Sequence, residues 1–210
     1  MQSEKRNFDK EAASWDENPV RSKMVKDVSQ AIAKTVALRP DMDVLDFGCG
    51  TGLLSLQILP RVGSITGVDS SQGMLDQFNR KIAQLKLDRV KTVRLDLEQE
   101  QALPGKYDLI ISNMTLHHIQ RIEPFLLQLY NVLVPGGQVA ISDLDPDEGK
   151  FHEDNTGVFH FGFDREGLRN AFEKAGFEDV ALTDAAEVIK PGANGEMRRF
   201  MLFLLTARRK

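Results

Sequence analysis

The sequence predicts a single α/β domain, a mostly parallel sheet with helices on both sides, and three observations carry that expectation. Val44, Leu45 and Phe47 form a short apolar run that breaks at Gly48, Gly50 and Gly52, after which Leu53, Leu54, Leu56 and Ile58 start a helical pattern. Further short apolar runs alternate with helix-period segments, as in parallel strands joined by crossover helices. Two late strand-like runs flank Pro191-Gly192-Ala193-Asn194-Gly195, a turn-rich stretch that suits an antiparallel hairpin.

Length and charge narrow the class. The 210 residues suffice for one domain with a sizeable core. Lys+Arg 27 against Asp+Glu 31 gives a formal net charge of -4, so no overall basic field draws the chain to nucleic acid or anionic lipid. No apolar run reaches the length of a membrane span, and the charged opening MQSEKRNFDKEAASW does not read as a signal peptide, so the expected address is cytoplasmic. Cys49 is the single cysteine, which rules out an internal disulfide; it reads as a small residue that fits the glycine turn. No pattern in the chain specifies an oligomeric state.

From the start of the chain, Phe8 to about Leu38 reads as helix in two pieces divided at Asn18-Pro19, since proline suits a first helical turn. Met24, Val25, Val28, Ile32 and Val36 mark a face that should pack on the sheet edge. Residues 1–39 are expected to form a helical cap on a domain over 40–210, the two making one folded unit. Trp15 reads equally as a buried anchor and as a ring facing a substrate. The first strand leads into the glycine turn, where a ligand can lie against backbone that lacks Cβ atoms. Dinucleotide binders use G-x-G-x-x-G for a pyrophosphate. Here the order is D-x-G-x-G-x-G, and Asp46 would repel a diphosphate while suiting an ammonium group.

The second strand, Ser64 to Val68, ends at Asp69, placed to take hydrogen bonds from the two hydroxyls of a ribose. Ser70 and Ser71 then start a helix carrying Met74, Leu75, Phe78, Ile82 and Leu85. The third strand is Val90 to Leu95, followed by Asp96-Leu97. Glu98 to Pro104 leaves room for only a brief crossover helix or none. Tyr107 to Asn113 is an apolar run suited to a central parallel strand. After it, Met114-Thr115-Leu116-His117-His118-Ile119 is the stretch expected to carry chemistry, because a histidine there can take a proton from an acceptor. The competing view is that one ring packs against Asn113 or caps the next helix, and the sequence does not choose between His117 and His118. A helix over Pro124 to Val134 is expected to stop at Pro135-Gly136-Gly137, before a strand from Gln138 to Asp143. Asp145 to Asp164 has no clear period and reads as a lid or substrate wall, with Phe151, His152, Phe159, His160 and Phe163 as candidates. No pair of the four histidines has strong metal-ligand spacing, so no metal is expected. Glu166 to Ala175 forms a helix closed by Gly176, strands follow near 178–190 and 199–207, and Arg208-Arg209-Lys210 reads as a solvated tail.

Taken in order, the motif at Asp46 to Gly52, the acids Asp69 and Asp96, Tyr107-Asp108-x-Ile110, and Leu133-x-Pro135-Gly136-Gly137 resemble those of class I S-adenosylmethionine-dependent methyltransferases. Phe8-Asp9-x-x-Ala12-x-x-Trp15-Asp16 and the Leu116-His117-His118-Ile119 run are similar to the small-molecule group of ubiquinone and menaquinone biosynthesis, with Trp15 in place of a tyrosine. The resemblance covers roughly 40–207. It implies a Rossmann-like three-layer sandwich whose seven-stranded, mostly parallel sheet ends in the antiparallel hairpin, and it implies S-adenosyl-L-methionine as cofactor. Asp46, Gly48, Gly50 and Gly52 would hold the methionine portion, Asp69 the ribose, and Asp96 with Leu97 the adenine, with Ser70, Met74 and Asn113 completing the set. The implied reaction is in-line displacement of the methyl group onto a small-molecule acceptor near His117 and His118, leaving S-adenosylhomocysteine. A protein that binds the cofactor without turnover would keep the same glycines. A nucleotide-dependent oxidoreductase is opposed by Asp46. A nucleic-acid or protein methyltransferase is disfavoured, because no Asn/Asp-Pro-Pro-aromatic signature follows the fourth strand.

Overall fold

A computed structural model describes residues 6–96, 102–191 and 196–210. Its seven-stranded sheet has the order β3-β2-β1-β4-β5-β7-β6, with β1 at Asp43–Phe47, β2 at Ser64–Asp69, β3 at Val90–Arg94, β4 at Tyr107–Asn113, β5 at Leu133–Leu144, β6 at Phe177–Pro191 and β7 at Met197–Arg209. Strands β1 to β5 pair in parallel, while β7 runs antiparallel to both β5 and β6. The order reverses between β1 and β4. At such a switch point the connections leave toward opposite faces and open a crevice beyond the carboxyl ends of the strands. That crevice brings the loop after β1 beside the loop after β4.

The strand residues alternate between two cores, as a pleated sheet covered on both faces requires. Val44, Ile65, Leu109 and Ile111 pack on one side with α2 (Pro19–Thr35), α3 (Leu53–Ile58) and α4 (Gln72–Leu85). Leu45, Val68, Ile110 and Ile141 pack on the other with α5 (Ile122–Val132) and α6 (Arg165–Lys174). These are the three layers expected. The N-terminal helix divides as predicted: a short α1 (Phe8–Glu11) and a 3-10 turn (Ala12–Glu17) precede α2, and the Asn18 side chain caps α2 by accepting from the Val20 and Arg21 N–H groups at 2.9 and 3.2 Å. The apolar face of α2 lies over the edge formed by β6 and β7.

Local expectations fail at two places. Helix α5 stops at Val132 because Leu133 already has extended backbone (φ −73, ψ 147) and pairs with Tyr107. Pro135-Gly136-Gly137 therefore does not end the helix; it lies inside β5, where the register with β4 shifts and Gly136 takes φ +77. The tail is not a free solvated end. β7 continues to Arg209, Arg208 pairs with Asp179 at 2.9 Å, and the Arg209 guanidinium lies over the Tyr130 ring. The expected crossover segment falls largely on 97–101, and the Asn194-Gly195 turn on 192–195, both outside the described residues; the hairpin pairing on either side of that turn is present. Among the described residues no helix is long and apolar enough to cross a membrane.

Candidate functional site

A cavity of about 690 Å³ lies at the switch point, walled by the glycine turn, the ends of β2 and β3, the loop after β4, the N-terminal helices and the segment after β5. The turn owes its shape to missing side chains. Gly48 has φ +70, and a Cβ there would lie 2.2 Å from the Thr115 Oγ1, so this residue lets the β4 loop press against the turn. Gly50 has φ +53 and faces the cavity, with only the Trp15 Nε1, at 3.9 Å, near a Cβ position. Gly52 departs from its expected role: it does not line the cavity and is seated against Phe78, where it starts α3.

Two carboxylates floor the cavity. Asp46 is 1% exposed and accepts the Ser55 hydroxyl at 2.6 Å. Burial pushes its carboxyl up to about 7 against the pull of that hydrogen bond, and the charge of Asp69 adds to the rise. Asp69 accepts the Gly50 N–H at 2.8 Å and the Ser71 N–H at 2.9 Å, yet burial still raises its carboxyl above the ordinary range. A pair of desolvated acids favours a ligand that brings positive charge and donors, and disfavours a diphosphate. The buried Asn113 Oδ1, without a hydrogen-bond partner among the described residues, is a further acceptor on the cavity wall. Ser70, Met74 and Asp96 line the same space, whereas Leu97 lies outside the described residues.

The loop after β4 and the segment after β5 bring three histidines to the same cavity. Met114 turns the chain out of β4 at φ +56, and a single 3-10 turn (Leu116–His118) presents both rings. His117 is 1% exposed and its Nδ1 lies 2.7 Å from Asp143 Oδ1. His118 Nδ1 lies 2.6 Å from the Gly157 carbonyl. Neither oxygen can donate, so each Nδ1 carries the proton and each Nε2 is left as a bare nitrogen. Burial would raise the Asp143 carboxyl, but His117 outweighs it and holds the group below its usual range. Burial, reinforced by the neighbouring His117, lowers His118 to about 4. His152 enters from the segment after β5 with its Nε2 3.1 Å from the His117 Nε2, and burial followed by the other two imidazoles lowers it to about 3. Phe151 and Phe159 also reach the cavity. His160 and Phe163 do not: the first bonds the Ile119 carbonyl at 2.9 Å, and the second is buried against Phe203.

The N-terminal helices close the site through their acids. Asp9 accepts the Ser71 hydroxyl and, at 2.8 Å, the Gly73 N–H, while Asp16 accepts the Thr51 hydroxyl at 2.6 Å and pairs with Lys81. Trp15 satisfies both readings of it, since it packs edge-on to Phe8, lies under the Arg21 guanidinium at 3.5 Å, and still faces the cavity. Sequence reasoning missed Asp143, Arg6 and Lys190. Asp143 had a signal, an acid closing an apolar strand next to the one that leads to the histidines. Arg6 and Lys190 reach the cavity only through tertiary packing.

A glycine turn after β1, acids near the ends of the next two strands and a cavity at the switch point are the arrangement in which open α/β sheets bind ligands. Residues 44–137 match a family model described as a methyltransferase domain. A methyltransferase of Schizosaccharomyces pombe is 29% identical over 161 residues, covering 70% of this chain and 57% of that protein. A malonyl-[acyl-carrier protein] O-methyltransferase of Priestia megaterium is 33% identical over 115 residues, covering 54% and 40%. The chain thus spans about half the length of these curated relatives. Among solved structures, the YcgJ protein of Bacillus subtilis superposes with TM-score 0.71 at 17% identity, covering 87% of this chain and 98% of the other. Phosphoethanolamine N-methyltransferase 2 of Haemonchus contortus, solved with S-adenosyl-L-methionine, gives TM-score 0.69 at 19% identity and covers 86% and 52%. Residues 44–137 are thus similar to a methyltransferase domain, the curated relatives carry methyltransferase names, and a structure of the same fold was solved with S-adenosyl-L-methionine bound.

Proposed function

We propose that this protein transfers the methyl group of S-adenosyl-L-methionine to a small-molecule acceptor held between the histidine loop and the N-terminal helical cap of residues 1–39. The observation that carries the reading is that one cavity is lined both by Asp46, Gly50, Asp69 and Asp96 and by His117, His118 and Trp15. In this reading Asp46 faces the ammonium of the cofactor, Gly48 and Gly50 bring backbone against its methionine portion, Asp69 receives the ribose hydroxyls and Asp96 the adenine amino group. Ser70, Met74 and Asn113 border the same ligand.

The acceptor's lone pair attacks the methyl carbon as the carbon–sulfur bond breaks, and that electron pair stays on sulfur in S-adenosylhomocysteine. The protein's contribution is alignment of the acceptor with the methyl group. His117 and His118 touch the acceptor, and the bare Nε2 of His118 can take the proton an O–H or N–H acceptor loses. Small acceptors fit a cavity of this size. They also accord with the names of similar proteins, a phosphoethanolamine N-methyltransferase and a magnesium protoporphyrin IX methyltransferase among them.

Calorimetric titration with S-adenosylmethionine and S-adenosylhomocysteine, with NAD as control, tests the cofactor half of the proposal. Saturable binding of both adenosyl compounds, at least tenfold weaker in Asp69→Ala, is expected. A folded protein that binds neither would overturn it. Release of S-adenosylhomocysteine during an acceptor screen then tests turnover.

A further inference from the structure

The three imidazoles on the acceptor wall are gathered in a way that sequence spacing concealed. One ring nitrogen from each of His117, His118 and His152 lies within 4.8 Å of the others, and the Nε2 atoms of His117 and His152 are 3.1 Å apart. Nitrogens bound to one tetrahedral zinc ion are separated by about 3.3 Å, given metal–nitrogen bonds of about 2.0–2.1 Å. The two nearer rings already stand at about that separation, and His118, whose nitrogen lies within 4.8 Å of both, is the ring that would move in.

The far sides of the rings match as well. A ligating histidine ordinarily donates its other ring N–H to a carboxylate or a backbone carbonyl, which fixes the tautomer and turns the bare nitrogen to the metal. His117 makes that bond to buried Asp143 and His118 makes it to the Gly157 carbonyl. His152 is the member that must change. Its Nδ1 lies 3.2 Å from an Arg6 nitrogen, and since Arg6 can only donate, His152 carries its proton on Nε2 and gives it to His117. That shared proton occupies the place a metal ion would take. Arg6 is also held by Glu11 through two bonds of 2.8 Å, so it keeps a partner when it leaves His152.

We propose that His117, His118 and His152 form a binding site for a divalent transition-metal ion, with a fourth coordination position open to the cavity. Three neutral imidazoles with no carboxylate among them suit zinc, iron(II) or cobalt and not magnesium or calcium. Three protein ligands and one open position are the pattern of a site that binds a further ligand, not of a closed structural site. That further ligand is an oxygen, nitrogen or sulfur atom of the acceptor; this role rests on the methyl-transfer reading, whereas metal binding itself does not.

Titration of the metal-free protein with Co²⁺ and Zn²⁺ tests the site. One equivalent is expected to bind, with Co²⁺ giving the intense visible bands of tetrahedral coordination and Zn²⁺ displacing them. His118→Ala and His152→Ala should each lose those bands, Asp143→Asn should weaken the affinity about 10–100-fold, and Arg6→Ala should strengthen it. A cooperative melting transition in each variant shows that it is folded. Absence of saturable binding, or binding that survives both histidine substitutions, would overturn the proposal. S-adenosylhomocysteine binding, measured separately, keeps the two readings apart: metal binding without it sinks only the methyl-transfer role, and the reverse sinks only the metal site.

Discussion

At Gly48 a single missing carbon decides how closely two loops can meet. With φ +70 and a Cβ position 2.2 Å from the Thr115 Oγ1, Gly48→Ala combines backbone strain of about 1–3 kcal/mol with a steric overlap against the Thr115 side chain. Chemical denaturation should show a loss of at least that size; unchanged stability would mean that Thr115 moves aside freely. Asp46 predicts a pH dependence. Its folded carboxyl titrates near 7 and an unfolded aspartate at about 3.9. Between those values the folded state keeps a proton that the unfolded chain releases, so stability falls as pH rises through the window. Affinity for a cofactor ammonium should rise over the same window, because the ionised acid is the form that attracts it. Asp46→Asn should flatten both trends, as denaturation and calorimetry across pH would show. That Asp46, Asp69 and Asp96 would line one cavity was legible because Asp46 lies in the strand before the glycine turn, Asp69 closes the next strand and Asp96 follows the third. Asp143 was not, since its meaning depends on the ring nitrogen of His117 from the neighbouring strand's loop.

Among the elements, helices and parallel strands were read well where periodicity was strong, as at β2, β4 and α4. The Pro135-Gly136-Gly137 error has a plain cause: glycine after a helix signals a stop, and nothing local tells that Leu133 will be drawn into pairing with Tyr107. The segment after β5 gave no period, so which of its aromatics face the cavity could not be read from spacing. The joint between α1 and α4 is open to test. Asp9 satisfies both Ser71 and Gly73 at the start of α4, and its carboxyl is held below the usual range first by Ser71 and then by Gly73. Asp9→Ala should cost about 1 kcal/mol and speed proteolysis before α2, with the rest of the chain unaffected. Equal protection in wild type and variant would count against the joint.

For the molecule as a whole, the reversal of strand order between β1 and β4 does what no single residue does. It sets the glycine turn beside the histidine loop although 63 residues of sequence, 53–115, separate them. The three-layer arrangement was legible because its strands alternate with helices. The gathering of His117, His118 and His152 was not, because that proximity arises only when the segment after β5 folds back over the carboxyl ends of the strands.

The seat of α2 has a consequence in time. Its apolar face, Met24 through Ile32, rests on β6 and β7, more than a hundred residues further along the chain. Such distant contacts must await the closing of a very long loop, which makes them late events in folding. During synthesis α2 therefore waits for more than a hundred further residues before it finds these neighbours. Until the final hairpin emerges, its sticky side remains open to wrong partners, and an unfinished chain is at its most vulnerable there.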